Sequence, residues 1–119
     1  MEGIDIITFV PLHKRRLRER EFNQSKILAS HISREFGIQL VDALDKVRPT
    51  KQQNELSRDE RLVNLRSAFM VRRGADIDTK KILIIDDVMT TGSTLDECAK
   101  VLKDGGAAEV RCLTLARGI

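Results

Sequence analysis

The chain has 119 residues, 41% of them hydrophobic and 33% charged, with 21 basic against 18 acidic side chains and a formal net charge of +3. This is one domain's length at ordinary apolar content, which excludes a disordered or multi-domain reading and lets the chain bury roughly two thirds of its unfolded surface. Four Phe, no Trp, no Tyr and two Cys leave few stacking platforms for single-stranded nucleic acid and no four-cysteine zinc site, and no apolar run is long enough to span a bilayer.

Residues 4–10 are rich in Ile and Val and read as a buried strand ended by Pro11. A basic loop follows over 12–21. A helix is predicted from Asn23, with Asn23 or Ser25 able to cap it. Leu28, Ile32 and Phe36 at four-residue spacing, with Ala29 beside them, give it one apolar face, and Gly37 stops it. Residues 38–44 form a short strand. Residues 47–66 are polar, carry Pro49 and read as a solvated loop with a short helix near 57–65; residues 67–71 return to a strand. A turn over 73–79 leads to the apolar strand 81–85. A helix after Gly92 sets Leu95, Cys98, Ala99 and Leu102 on one face, with acids in its first turn and lysines at its end, as the helix dipole favours. Gly105 and Gly106 end it, and 109–116 is a last strand. Cys98 and Cys112 both fall in apolar patterns, as buried thiols of a reducing compartment do. Strands alternating with helices predict an α/β domain over 1–119, with a mostly parallel sheet flanked by helices.

The most informative stretch is Lys81-Ile82-Leu83-Ile84-Ile85-Asp86-Asp87-Val88-Met89-Thr90-Thr91-Gly92-Ser93-Thr94-Leu95. An apolar strand delivers two carboxylates to its carboxyl end, where open parallel sheets place ligands. Adjacent carboxylates accept the hydrogen bonds that vicinal ribose hydroxyls donate. Thr90, Thr91, Gly92, Ser93 and Thr94 then offer hydroxyls, backbone N–H groups and a helix N-terminus to a phosphate, with Gly92 giving the anion room. A response-regulator receiver also carries an acidic pair after a strand, but its phosphoacceptor Asp lies on a later strand; here the later acids are Asp96, Glu97, Asp104 and Glu109, in a helical pattern or opening the final strand. An ordinary strand-turn-helix is the remaining bland alternative. A Walker P-loop is excluded, since no Gly-x-x-x-x-Gly-Lys occurs.

Residues 82–94 resemble, without a gap, the phosphoribosyl-diphosphate (PRPP) signature of type I phosphoribosyltransferases. Three further segments narrow the resemblance: Val10-Pro11-Leu12-His13-Lys14-Arg15-Arg16-Leu17-Arg18-Glu19-Arg20 before Phe22-Asn23-Gln24; Thr50-Lys51-Gln52-Gln53 leading to Leu56, Arg61 and Asn64-Leu65-Arg66-Ser67-Ala68-Phe69; and Leu113-Thr114-Leu115-Ala116-Arg117. Together they resemble the ComF/GntX family of type I phosphoribosyltransferase-like proteins, associated with DNA uptake competence. The resemblance implies a Rossmann-like core without a recognisable hood for the base. Members usually carry an N-terminal four-cysteine zinc module that this sequence lacks, so a truncated or naturally short form is expected. The pattern often has Gly where Glu21 stands, which adds negative charge near the diphosphate loop.

The resemblance assigns His13, Lys14, Arg15 and Arg16 to the diphosphate; an Arg fork holds two phosphate oxygens at once, though such a run is also what a solvated surface carries. Arg58, Arg61 and Arg66 belong to a mobile loop that closes over the substrate, with ordinary surface charge as the alternative. Asp86 and Asp87 hold the ribose, and Mg²⁺ comes with the diphosphate without direct protein ligation. No general base is assignable. In purine-salvage members an Asp occupies the position of Thr90, so its absence argues against that mechanism. Three functions compete: phosphoribosyl transfer from PRPP to an unidentified nitrogen nucleophile, a non-catalytic PRPP or nucleotide sensor or adaptor in DNA uptake, and a nucleic-acid-binding module. A cytoplasmic protein with no membrane partner, and a homo-oligomer covering apolar surface around 4–10 and the first helix, complete the expectations.

Overall fold

Hydrogen bonding between strands of matching apolar pattern builds a four-stranded, wholly parallel sheet in the computed structural model, which describes residues 2–12, 23–47, 68–89 and 93–117. Its strands are β1 (Ile6–Phe9), β2 (Gln39–Leu40), β5 (Lys81–Met89) and β6 (Glu109–Arg117), in the order β2-β1-β5-β6. Helix α1 (Gln24–Phe36) connects β1 to β2, and helix α2 (Ser93–Asp104) connects β5 to β6. Strands β3 (Leu44–Lys46) and β4 (Phe69–Val71) form a separate antiparallel ribbon. The α/β class with a mostly parallel sheet flanked by helices is therefore the observed one.

Period-two alternation divides the core. Ile7 and Phe9 of β1, with Leu83 and Ile85 of β5, pack with Ala29 of α1. Ile6 and Val10, with Ile82 and Ile84, pack with Leu95, Cys98 and Leu102 of α2 and with Leu44 and Phe69 of the ribbon. A strand buried on both faces reads as a continuous apolar run, which is why 81–85 carries no polar residue after Lys81. All four β1 residues are buried, so the strand expected to need cover from another subunit is internal. Among the described residues, the large apolar side chains left exposed lie on several elements: Ile27 and Phe36 on α1, Met70 on β4, Val47 after β3, and Leu113 on β6.

Three sequence expectations change. Residues 38–44 are two short strands in different sheets. After Leu40 the chain leaves β1, with Val41 N–H donating to Ile7 O and Ala43 N–H to the buried Thr8 Oγ1 at 3.3 Å. Phe36 is 53% exposed; at 3.6 residues per turn a four-residue step drifts about 40°, so two steps from Leu28 leave the buried face. Ile38, beyond the cap, packs on that cluster instead. Cys112 is exposed on the edge strand, whereas Cys98 is buried as expected. Burial pushes the Cys98 thiol far up, with the Asp86 and Glu97 carboxylates adding to the effect. Partial burial also raises the Cys112 thiol, and the Asp96 carboxylate adds to it. Because the thiolate is the nucleophile, Cys112 should alkylate slowly at neutral pH and faster as pH rises, while Cys98 should alkylate only through unfolding. Mass spectrometry of a native labelling time course checks this; equal rates at the two thiols would contradict it.

Two glycines terminate helices by different means. Gly37 ends α1 in the left-handed region at φ 66°, its N–H donating to Ser33 O, with open space around the missing Cβ. Gly106, after α2, has φ 111°, and a Cβ there would lie 2.6 Å from Asp78 Oδ1. Backbone strain alone should cost Gly37→Ala about 1 kcal/mol. Gly106→Ala adds a clash and should cost about 1–3 kcal/mol. Urea denaturation of the two variants measures the difference; a smaller loss at Gly106 would contradict the packing seen at this corner.

Candidate functional site at the carboxyl rim of the sheet

The connection from β1 goes to β2 on one side, and the chain then returns to place β5 on the other. Between β1 and β5 the strand order reverses, and the carboxyl ends of such a pair diverge into a crevice. The register Ile6↔Ile82 through Phe9↔Ile85 ends the pairing with β1 at Ile85, and β5 runs on four residues past it, to Met89. Val10 N–H donates to Ile85 O at 2.9 Å, and the next residue on β5 is Asp86. Asp86 is half-buried at this rim, beside Thr114 of β6 in register.

The N-terminus of α1 reaches the same rim. Asn23 is its cap: the side-chain oxygen accepts from Ser25 N–H at 2.9 Å and from Lys26 N–H at 3.4 Å, satisfying two donors the helix leaves open. The Asn23 amide nitrogen turns back and donates to Val10 O at 3.1 Å. Ser25, the alternative cap, does something else. Its hydroxyl is buried and donates to Asp86 Oδ1 at 3.0 Å. Sequence reading marked Asn23 and Ser25 only as caps. Their contact with the acidic strand depends on which side of β1 the strand β5 lies, and local pattern carries no such information.

The residues expected to bind ligand are placed unevenly. Asp86 and Asp87 are the sixth and seventh of the nine residues of β5, which continues past the expected 81–85 to Met89, so the pair lies within the strand and not at its end. Ser93 and Thr94 open α2, whose first turn carries Asp96. Thr90, Thr91 and Gly92 lie outside the described residues, as do His13, Lys14, Arg15 and Arg16, and Arg58, Arg61 and Arg66. Leu12, just past the end of β1, and Asn23 are the described residues that bound the basic segment. The polar segment 48–67 leaves from β3 and returns to β4, whose register pairs Lys46 with Phe69. The Lys46 ammonium lies 5.7 Å from the Phe69 ring centroid, and its charge opposes the carboxylates in acting on the Cys98 thiol. Among the described residues, no group of three or more His, Cys, Asp or Glu is placed to hold a metal, and no helix is long and apolar enough to cross a membrane.

Known proteins place this arrangement. The family described as phosphoribosyl transferase domain matches residues 23–119. The DNA utilization protein YhgH of Escherichia coli (strain K12) is 40% identical over 114 residues, covering 95% of this chain and 49% of that protein. Competence protein F of Haemophilus influenzae is 36% identical over 110 residues, covering 91% of this chain and 48% of that protein. The chain thus spans about half the length of these curated relatives. Among solved structures, the glutamine PRPP amidotransferase of B. subtilis superposes with a TM-score of 0.60 at 24% identity, over 93% of this chain and 22% of that one. A hypoxanthine phosphoribosyltransferase of Staphylococcus aureus gives 0.60 at 16% identity, over 98% of this chain and 54% of that one. At those identities the likeness is one of fold.

Proposed function

The chain belongs to the phosphoribosyl transferase domain family, and from that premise we propose that it binds PRPP at the carboxyl rim and transfers the phosphoribosyl group to a nitrogen nucleophile, releasing diphosphate. The observation that carries the reading is the position of Asp86 at the crevice between β1 and β5, where the strand order reverses. In this proposal Asp86 and Asp87 accept hydrogen bonds from the ribose hydroxyls. Thr90, Thr91, Gly92, Ser93 and Thr94 take the 5-phosphate. His13, Lys14, Arg15 and Arg16 take the diphosphate, and Arg58, Arg61 and Arg66 close over it.

The reaction breaks the bond from the anomeric carbon to a diphosphate oxygen and forms one from that carbon to the incoming nitrogen. The electron pair of the broken bond leaves with the diphosphate. Little covalent chemistry falls to the protein; its work is positioning the sugar and exchanging water for fixed charges around a cationic centre. A Mg²⁺ ion bound with the substrate would supply positive charge against the diphosphate. Asp86 and Asp87 are hard oxygen donors of the kind that reach this ion through its waters.

A second reading is a PRPP or nucleotide sensor or adaptor in DNA uptake. It is supported by the relatives named for DNA utilization and competence, and a shared fold supports binding more directly than turnover. Incubation with PRPP, Mg²⁺ and a panel of nitrogenous bases and amines, scored by diphosphate release, separates the two. Base-dependent release supports transfer; binding of PRPP without release over the panel supports the adaptor. Light scattering at high concentration tests the expected homo-oligomer; among the described residues the exposed large apolar side chains include Ile27 and Phe36 on α1, Val47 just after β3 and Met70 on β4.

A further inference from the structure

Four hydrogen bonds form a closed circuit across three elements at the rim. Val10 N–H donates to Ile85 O at 2.9 Å. The Asn23 amide donates to Val10 O at 3.1 Å. Ser25 N–H donates to Asn23 Oδ1 at 2.9 Å. The Ser25 hydroxyl donates to Asp86 Oδ1 at 3.0 Å, and the peptide bond from Ile85 to Asp86 completes the loop. The Asn23 side chain holds two of the four bonds, and Ser25 enters the circuit through both its backbone N–H and its hydroxyl. Ser25 is 4% exposed and one of two buried polar side chains among the described residues.

We infer that Ser25 is a positioning residue: held in this circuit, it sets the plane of the Asp86 carboxylate toward the sugar. The inference rests on the proposed role of Asp86 in holding ribose. The terminal torsion of a carboxylate is broad, and a hydrogen bond to one oxygen narrows it. A hydroxyl supplies one donor, and here Ser25 gives it to Oδ1. Asn23 performs the same service one step back, anchoring the turn of α1 that carries Ser25. The helix thus contributes to the site through a side chain in its first turn, in a place where local sequence gave only a capping signal.

The test is calorimetric titration of wild type, Ser25→Ala and Ser25→Cys with two probes at one Mg²⁺ concentration: PRPP, and inorganic diphosphate, which lacks the ribose. Ser25→Cys keeps the volume and weakens the donor, so it serves if Ser25→Ala does not fold. Both variants should bind PRPP about tenfold more weakly, the scale of one hydrogen bond to a charged group, while diphosphate binding stays at the wild-type value. In an Asp86→Asn background, Ser25→Ala should cause little further loss of PRPP affinity. Unchanged PRPP affinity in the variants, an equal loss toward diphosphate, or a full second loss in the Asp86→Asn background overturns the positioning role and leaves the proposed function standing. A wild-type chain that takes up diphosphate but not PRPP overturns both.

Discussion

Replacing Asp86 and Asp87 together by Asn is expected to weaken PRPP binding by about 10²- to 10⁴-fold with the fold retained, since hydrogen bonds to charged groups contribute roughly 1.5–3 kcal/mol each. The sign is informative. The double substitution removes two negative charges from a chain whose formal net charge is +3, and so strengthens its long-range attraction for a polyanionic ligand. Lost affinity would therefore have to come from lost short-range contacts. Retention of the fold is expected because Asp86 is half-buried at the rim, outside the apolar core, and because an Asn carbonyl oxygen can still accept from Ser25. Circular dichroism and thermal denaturation check the fold, and calorimetry checks the binding. Unchanged affinity in the double variant would sink the assignment of the acidic pair.

The largest expected effect on stability comes from Leu102→Ala. Leu102 is fully buried in the core between α2 and the sheet. Removing it should cost about 2–5 kcal/mol through lost transfer energy and the cavity left behind. Against a total of roughly 5–15 kcal/mol for a domain, that is a large share. Phe36→Ala removes a larger side chain from a position 53% exposed, and should cost no more than about 0.5 kcal/mol. Denaturant midpoints for the pair order the two positions. A greater loss at Phe36 would contradict the burial seen on α1.

That pair also shows how much of the fold sequence pattern conveys. The buried face of α2 was legible because Leu95, Cys98 and Leu102 keep a spacing of three and four, which stays on one stripe. On α1 the strict four-residue spacing of Leu28, Ile32 and Phe36 drifts around the helix, and the last member leaves the core. The strands β1 and β5 were legible because both faces are covered, leaving uninterrupted apolar runs. The ribbon of β3 and β4 was not: its two short strands are separated by more than twenty residues, and nothing in a three-residue segment specifies a distant antiparallel partner.

The site divides in the same way. Asp86, Asp87 and the turn to α2 are contiguous in sequence, so a single stretch reveals strand, acids and helix together. The partners of Asp86 are not contiguous. Ser25 lies 61 residues away and meets it only because β5 pairs with β1 on the side opposite β2. Cys112 misled for a related reason. Its apolar neighbours along β6 suggest burial, but β6 is the edge of the sheet, and edge position is a property of topology.

Calorimetric titration of the wild-type chain with PRPP in the presence of Mg²⁺ tests the proposed function most directly. Saturable binding at one site per chain, lost in the Asp86→Asn, Asp87→Asn variant and competed by inorganic diphosphate, is the expected result. No heat of binding from a chain shown to be folded, or binding that survives removal of both carboxylates undiminished, would contradict it.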